Sequence, residues 1–197
     1  MLFLFLAACA PEPDPEGTVE DECFDGEDND LDGEIDCDDA GCRDLADCGS
    51  ANTVLFINEF MASNESTIGV DVGDGVDFPD WIEIYNPNDE DVDLGGWYLT
   101  DDLSNPQKHL MPAGVIVPAG GFTLLWADDD EEDEGSDHLG FHLAVEGEAV
   151  GIYRPNGSPA DTVTYEAQVP DISAARTIDG GDEWEMTDEP TPGESNG

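Results

Sequence analysis

The chain has 197 residues, of which 50 are Asp or Glu and 4 are Lys or Arg, so its formal net charge is -46 at pH 7. A charge this negative repels nucleic acid and anionic lipid headgroups, so it excludes nucleic-acid binding and favours divalent cations and basic partners. Apolar residues make up 39% of the sequence, which is too many for a wholly disordered chain, and the length accommodates one ordinary domain and a small additional segment.

Residues 1–8, MLFLFLAA, form a short apolar run that ends in two small residues before Cys9. A membrane-spanning helix takes about 20 apolar residues, so this run fits a removable export signal better than an anchor. Leu6-Ala7-Ala8-Cys9 resembles the lipobox of bacterial lipoproteins, although no Lys or Arg precedes the apolar run. The resemblance implies cleavage before Cys9 and attachment of lipid to its sulfur. We therefore expect an anchor in the cell envelope, and Ala10 in place of Asp favours the outer membrane.

Residues 9–22 are rich in Pro and in acidic side chains and poor in apolar ones. Such a composition predicts an extended, solvated stalk rather than a packed element. A lipid followed by a stalk and then by folded segments is the order expected of a surface-tethered protein. Two or three acyl chains on one cysteine would anchor it more stably than a single chain.

Four of the five cysteines fall in residues 23–48, and the remainder of the chain after this segment has none. In an exported protein this clustering predicts two disulfides, with three pairings that the sequence leaves open. A zinc site is the competing interpretation, but the spacing lacks paired C-x-x-C units and the neighbouring donors are hard oxygens. The disulfide candidates are Cys23, Cys37, Cys42 and Cys48.

The acidic stretch DNDLDGEIDCDD, residues 28–39, has the spacing of a calcium-binding loop. Calcium takes six to eight oxygens, and a loop that wraps it places acidic side chains at positions 1, 3 and 5, a glycine at 6 and an acid at 12. Counting from Asp28, Gly33 falls at position 6 and Ile35 at position 8, where such loops place an inward apolar residue. The predicted Ca²⁺ ligands are Asp28, Asp30, Asp32, Glu34, Asp36 and Asp39.

Cysteines rather than convincing helices flank this loop, and position 12 is Asp39 instead of the Glu usual in an EF-hand. The unit CFDGEDNDLDGEIDCDDAGC resembles the DxDxDG calcium repeats of thrombospondin type 3 and related bacterial surface proteins. The resemblance covers residues 23–48. It implies that disulfides and metal replace the hydrophobic core that so short a segment cannot build.

From Thr53 onward, short apolar or alternating runs recur between turn signals such as Asn-Pro, Gly-Gly and Asn-Gly. No stretch keeps a helical period for the length of an ordinary helix. The pattern predicts an all-β antiparallel fold, and about seven to nine strands over residues 53–197 fit an immunoglobulin-like sandwich. The runs are VLFINEF, DWIEIYN, VDLGGWYLT, GVIVP, GGFTLLWA, EAVGIYR and ADTVTY.

These runs, in order, resemble the bacterial form of the lamin-tail domain across almost all of residues 53–197. The marks that carry the resemblance are Ile57-Asn58-Glu59, the segment WIEIYN at residues 81–86 and the segment GWYL at residues 96–99. The resemblance implies an immunoglobulin-like fold and no enzymatic activity. Bacterial members of the family often serve as appended modules of exported proteins.

The side chains of these motifs have structural interpretations that we prefer. Large apolar residues of paired strands predict the core, and Glu59, Glu83 and Asn86 are expected at strand ends, satisfying loop backbone groups rather than binding a ligand. His138 and His142 are expected to be structural. The acidic run at 128–134 and the Asp residues between 71 and 80 are expected to be solvated loops. The predicted core residues are Trp81, Ile82, Ile84, Trp97 and Leu99.

The function predicted from these features is that of a calcium-binding, lipid-anchored envelope protein whose sandwich acts in adhesion, binding or envelope assembly. Its partner would be a basic protein or a polysaccharide, and not nucleic acid. We expect calcium affinity on the order of 0.1 to 1 mM, as in other extracellular modules. The alternative is an accessory module of an extracellular metal-assisted hydrolase system, although the sequence shows no histidine-rich metal centre.

Overall fold

The computed structural model describes residues 53–71, 73, 75–129 and 135–197. The predictions for Cys9, for the four clustered cysteines, for the calcium loop at residues 28–39 and for the acidic run at residues 130–134 lie outside these residues. Within the described residues, no helix is long and apolar enough to cross a membrane.

The described residues form fourteen strands, which confirms the predicted all-β fold class. Thr53–Gly197 is one compact unit. The strands are β1 (Phe56–Met61), β2 (Val70–Asp71), β3 (Val76–Asp77), β4 (Asp80–Tyr85), β5 (Val92–Asp93), β6 (Tyr98–Thr100), β7 (His109–Leu110), β8 (Ile116–Val117), β9 (Phe122–Ala127), β10 (His138–Leu139), β11 (Ala149–Tyr153), β12 (Pro159–Thr164), β13 (Ser173–Arg176) and β14 (Trp184–Thr187).

Two sheets make the immunoglobulin-like sandwich that the sequence predicts. The larger sheet has six strands in the order β10-β9-β4-β1-β13-β14, and the smaller has four in the order β12-β11-β6-β7. Two short ribbons, β2-β3 and β5-β8, complete the described architecture. The paired strands are antiparallel except β9 and β10, which are parallel. This order leaves β14 and β12 at the ends of their sheets.

The strand count exceeds the predicted seven to nine because six of the strands have only two residues. A two-residue ladder is too short to leave a period-2 pattern that a sequence analysis can detect. The longer strands β4, β9 and β11 fall within predicted runs, and β1 and β12 each extend one residue beyond theirs. Strands β13 and β14 were not predicted, since SAAR and WEMT offer little alternation of β-branched and polar residues.

A β-bulge in β1 sets which side chains enter the core. The pairing of β1 with β4 shifts register between Ile57 and Glu59, so Asn58 is the extra residue. Ile57 and Phe60 consequently both join the core cluster although they are three residues apart. Glu59 lies opposite Glu83 of β4 in the register of the two strands.

The hydrophobic core lies between the two sheets. Ile82 and Ile84 of β4 enter it from the larger sheet, and Leu99 of β6 enters it from the smaller one together with Trp97. These four residues confirm the core prediction. Trp81 is also fully buried, but it is not a member of this cluster. Because side chains alternate along a strand, Trp81 lies on the face of β4 opposite to Ile82, the face that also carries Glu83.

Gly147 occupies a backbone position that a larger residue would disturb. Its φ is 100°, and a Cβ atom there would lie 2.7 Å from the carbonyl oxygen of Tyr165. We expect Gly147→Ala to lower the free energy of unfolding by about 2 to 4 kcal/mol, since it combines left-handed backbone strain with a backbone clash. Urea denaturation of the full chain would measure the change.

Gly157 provides the matched control for this substitution. Its φ is 83°, and nothing lies within 4 Å of an added Cβ. We expect Gly157→Ala to be destabilising by about 1 kcal/mol, from backbone strain alone. An equal decrease in the free energy of unfolding in the two variants would show that the close approach of Tyr165 to Gly147 does not contribute to the effect of the substitution.

Candidate functional site

The two acidic residues that the sequence motifs single out lie side by side in the larger sheet. Glu59 and Glu83 are register partners on β1 and β4, and both side chains are fully buried. They lie in the middle of their strands, so the prediction that they sit at strand ends is wrong. Asn86, by contrast, follows β4 and donates hydrogen bonds to the carbonyl oxygens of Glu90 and Val117, as predicted.

Both carboxylate oxygens of Glu59 accept hydrogen bonds from the protein. The hydroxyl of Ser173 in β13 donates to Oε1. The backbone N–H of Thr191 donates to Oε2 at 3.1 Å, and the Thr191 hydroxyl lies at the same distance from that oxygen. Glu59 therefore connects strand β13 to the C-terminal segment, which we define as residues 188–197.

Glu83 is engaged in the same way by different donors. The side-chain amide of Asn58 donates to Oε1 at 3.0 Å, and the backbone N–H of Gly193 donates to Oε2 at 2.6 Å. Asn58 is the bulged residue of β1, so the bulge aims its amide along the sheet toward Glu83. The same amide also donates to Asp179 Oδ1 at 3.1 Å. Gly193 belongs to the C-terminal segment, which is thus held by both glutamates.

A third contact through Asn196 completes the attachment of the C-terminal segment. Its side-chain amide donates to the carbonyl oxygens of Asn58 at 3.2 Å and Arg176 at 2.8 Å. Its backbone N–H donates to Asp179 Oδ1 at 3.0 Å. The C-terminal segment is therefore tied to β1, to β13 and to the turn that follows β13, without being a strand itself.

Burial controls the electrostatics of the glutamate pair. It raises the pKa of Glu59 above its ordinary value, and it raises the pKa of Glu83 to about 7. Hydrogen bonds from Asn58 and Gly193 oppose the rise at Glu83, while the negative charges of Glu59 and Asp179 add to it. The pair therefore resists holding two negative charges at neutral pH.

We expect Thr191→Val to loosen the C-terminal segment while preserving the shape of the side chain. The hydroxyl that it removes lies 3.1 Å from Glu59 Oε2 and 2.9 Å from Asn196 Oδ1. Loss of this partly buried hydrogen bond is expected to be destabilising by about 1 kcal/mol and to speed hydrogen exchange at Gly193 and Asn196. Thr162→Val, at an exposed position of β12, is the control. A similar change in both variants would contradict the role of the Thr191 hydroxyl.

Arg176 is a buried cation that the sequence analysis missed. It is 5% exposed, its Nε donates to the carbonyl oxygen of Ile57 at 2.8 Å, and its guanidinium also donates to the carbonyl oxygen of Gly181. Its Nη2 forms an ion pair with Asp161 Oδ2 at 2.7 Å, and the guanidinium lies 4.7 Å from the ring centre of Trp184. The chain has 4 Lys and Arg residues in all, and this scarcity is the sequence signal that could have identified Arg176.

The two histidines of the sequence analysis have different surroundings. His138 is buried and its Nδ1 contacts a carboxylate oxygen of Asp128, whereas His142 is exposed. Within the described residues, no group of three or more His, Cys, Asp or Glu side chains is arranged to hold a metal ion. Asp71 and Asp77 are exposed residues of the β2–β3 ribbon, in line with the expected solvated loop. The expectation is wrong for Asp80, which is a half-buried residue of β4 and accepts a hydrogen bond from the Asn64 N–H.

An apolar groove of about 390 Å³ opens where the two sheets end. One side is formed by the end of β12 and the residues after it, and the other side is formed by β14. Phe60 of β1 lies deep in the groove, with its ring centre 4.8 Å from that of Tyr165 and 5.6 Å from that of Trp184. Met186, which is 51% exposed, and the exposed Glu185 also line it. We call this cavity the β12–β14 groove.

A family model described as Lamin Tail Domain matches residues 49–167, which is more than half of the chain. The matched range includes strands β1 to β12 and therefore both Glu59 and Glu83. Strands β13 and β14 and the C-terminal segment lie beyond it. No curated protein matches the chain.

Proposed function

The chain belongs to the lamin tail domain family, and on that basis we propose that its sandwich is the non-catalytic binding module of a calcium-binding, lipid-anchored protein of the cell envelope. The family consists of immunoglobulin-like, non-enzymatic domains. The module would act in adhesion, in ligand binding or in assembly of the envelope, with a basic protein or a polysaccharide as its partner.

One observation carries the non-catalytic part of this proposal. Each of the four carboxylate oxygens of Glu59 and Glu83 already accepts a hydrogen bond from a group of the protein. A general acid, a general base or a nucleophile needs a polar atom that reaches the substrate, directly or through one water. The most deeply buried acidic pair of the described residues is instead used to hold the C-terminal segment.

The calcium loop and the lipid anchor are proposed from their sequence patterns. Asp28, Asp30, Asp32, Glu34, Asp36 and Asp39 would supply the oxygen ligands of one Ca²⁺ ion, and Cys9 would carry the lipid. Crowded carboxylates repel one another strongly unless a cation lies among them, so binding would order the segment that precedes the sandwich. The anchored chain would then present the sandwich in a calcium-dependent manner.

Calorimetric titration of calcium into the oxidised full chain tests the loop. We expect saturable binding of about one ion per chain with a dissociation constant on the order of 0.1 to 1 mM, and loss of that binding when Asp28, Asp30 and Asp32 are changed to Asn. The control carries the same charge change at the exposed residues Asp89, Asp182 and Asp188. Heat that never saturates, or equal heat from both variants, would contradict the site.

Partition into a detergent-rich phase tests the anchor. Chain recovered from a bacterial host that lipidates exported proteins is expected to enter the detergent phase, and Cys9→Ser is expected to remain in the aqueous phase. Mass spectrometry of the same samples would show the acyl groups on the parent chain alone. Equal partition of the two chains would contradict the lipobox interpretation.

A further inference from the structure

We propose that the β12–β14 groove binds an extended peptide with apolar and basic residues in alternation, which joins the sandwich by strand addition. This inference rests on the binding role proposed above and gives that role a surface and a ligand class. Three properties of the described residues lead to it: open strand edges, an apolar interior and an acidic rim.

Both strands beside the groove are edge strands. Within the described residues, β12 pairs with β11 alone and β14 pairs with β13 alone. An edge strand presents a row of backbone N–H and C=O groups that an extended peptide can complete with main-chain hydrogen bonds. Strand β12 has six residues and β14 has four. Either edge can therefore pair with an extended peptide segment of the same number of residues.

The interior of the groove suits apolar side chains. Phe60 is fully buried and packs against the half-buried rings of Tyr165 and Trp184. Met186 is an exposed apolar side chain of β14 that an added strand would cover. A volume of about 390 Å³ is within the usual range for a ligand pocket, so a few side chains of a peptide would fill it.

The negative charge around the groove favours a cationic partner. Glu166 lines the groove and is exposed. Glu185 of β14 is also exposed, and its side chain lies on the face of the strand opposite to Met186, where alternate residues of an added strand would point. The basic side chains of the described residues are paired within the protein: Lys108 with Asp101, Arg154 with backbone carbonyl groups and Arg176 with Asp161. No Lys or Arg of the described residues lines the groove, so lysine or arginine of a peptide would provide the complementary charge.

A peptide fits these features better than a polysaccharide does. Sugar binding relies on an open aromatic face, but the guanidinium of Arg176 lies over the ring of Trp184 and Phe60 packs against it. The hydroxyl of Tyr165 already donates to Glu148 Oε1 at 3.0 Å. The groups that remain open include the backbone edges, whose regular main-chain hydrogen bonds an extended peptide can complete and a glycan cannot.

Fluorescence anisotropy with the full chain tests the assignment. The probe is a labelled peptide of about ten residues in which valine and lysine alternate, and we expect saturable binding that weakens with added salt. Met186→Asp is expected to weaken binding by about tenfold or more, and so is Glu166→Lys combined with Glu185→Lys. Methylation of alternate peptide nitrogens should also abolish binding, since it removes main-chain donors.

Two control variants isolate the groove from general effects of charge. Ile178→Asp changes an apolar side chain that is 60% exposed and does not line the groove, and Glu90→Lys reverses an exposed charge elsewhere. Both are expected to bind the peptide like the parent chain. All variants are first compared by melting temperature, because a shared loss of fold would mimic a loss of binding.

Three results would overturn the assignment. The first is undiminished binding of the peptide by Met186→Asp and by the Glu166/Glu185 reversal, which would leave a binding role at another surface. The second is equal binding of a peptide with glutamate in place of lysine. The third is binding of a neutral polysaccharide, lost in Met186→Asp, without binding of the peptide. Failure of the calcium or lipid experiments would not change these readouts, since the groove lies outside residues 1–52.

Discussion

Replacing Arg176 with methionine is expected to lower the free energy of unfolding by about 3 to 5 kcal/mol, which is the range for breaking a buried ion pair from one side. The substitution leaves the Asp161 carboxylate without its cation and the carbonyl oxygens of Ile57 and Gly181 without their donor. It also removes the cation that lies over the ring of Trp184. Chemical denaturation of the full chain followed by tryptophan fluorescence would measure the loss.

A second substitution separates the orphaned charge from the lost packing. Asp161→Asn removes the unpaired carboxylate but keeps an oxygen that can accept from the Ile57 N–H, which Asp161 does at 2.9 Å. We therefore expect Arg176→Met with Asp161→Asn to recover part of the stability lost in Arg176→Met alone. Arg154→Met is the matched control, because Arg154 is only half-buried and donates to backbone carbonyl groups. If Arg154→Met lowered the free energy of unfolding as much as Arg176→Met does, the special role of the Arg176–Asp161 pair would be contradicted.

The stability of the sandwich is expected to fall as the pH rises from about 4.5 to about 7, through ionisation of Glu83. Burial raises the pKa of this carboxyl from 4.5 to about 7, so between these values the folded chain holds a proton that the unfolded chain has released. Stability from this group is complete below the unfolded pKa and is lost as the pH rises through the folded pKa. The loss is on the order of 3 kcal/mol, since one unit of pKa corresponds to about 1.4 kcal/mol.

Other groups set the two ends of this pH profile. Burial raises the pKa of Asp80 to about 6, which adds to the loss of stability in the same direction. Hydrogen bonds from Ser66 and Glu65 lower the pKa of Asp171 to about 2, so its contribution is present above 3.8 and is lost as the pH falls through about 2. The melting temperature should therefore be highest at about pH 4 to 5.

Glu83→Gln tests the assignment to Glu83. The amide keeps the shape of the side chain but cannot ionise, so the slope of stability between pH 5 and 7 should be smaller than in the parent chain. The Glu83→Gln variant is expected to be less stable than the parent chain at acid pH. The NH₂ group of the glutamine would face the N–H of Asn58 or of Gly193, so that two donors would point at each other without an acceptor. Melting curves at several pH values give the slope. An unchanged slope would show that another group, such as Asp80, is responsible.

Local periodicity was sufficient to predict the fold class and the inner face of the central strands. The alternation in DWIEIYN places Ile82 and Ile84 on one face, and both are in the core. The same alternation fails at β1, because the bulge at Asn58 shifts the register and nothing in the segment FINEFM marks it. Strand β13 was missed because its small residues become a strand through pairing with β1 and β14.

The sequence by itself therefore determined the all-β class, the family and the core residues of β4 and β6, since these depend on patterns within a few residues. Only the tertiary structure decided how the polar residues are used. Glu59 contacts Thr191 across a separation of 132 residues, and Arg176 contacts Ile57 across 119. No local pattern specifies which donors meet a buried carboxylate, because the pairing follows from strand order and from the path of the C-terminal segment. The β12–β14 groove arises in the same way, because β12 and β14 belong to different sheets and line one cavity only in the folded sandwich.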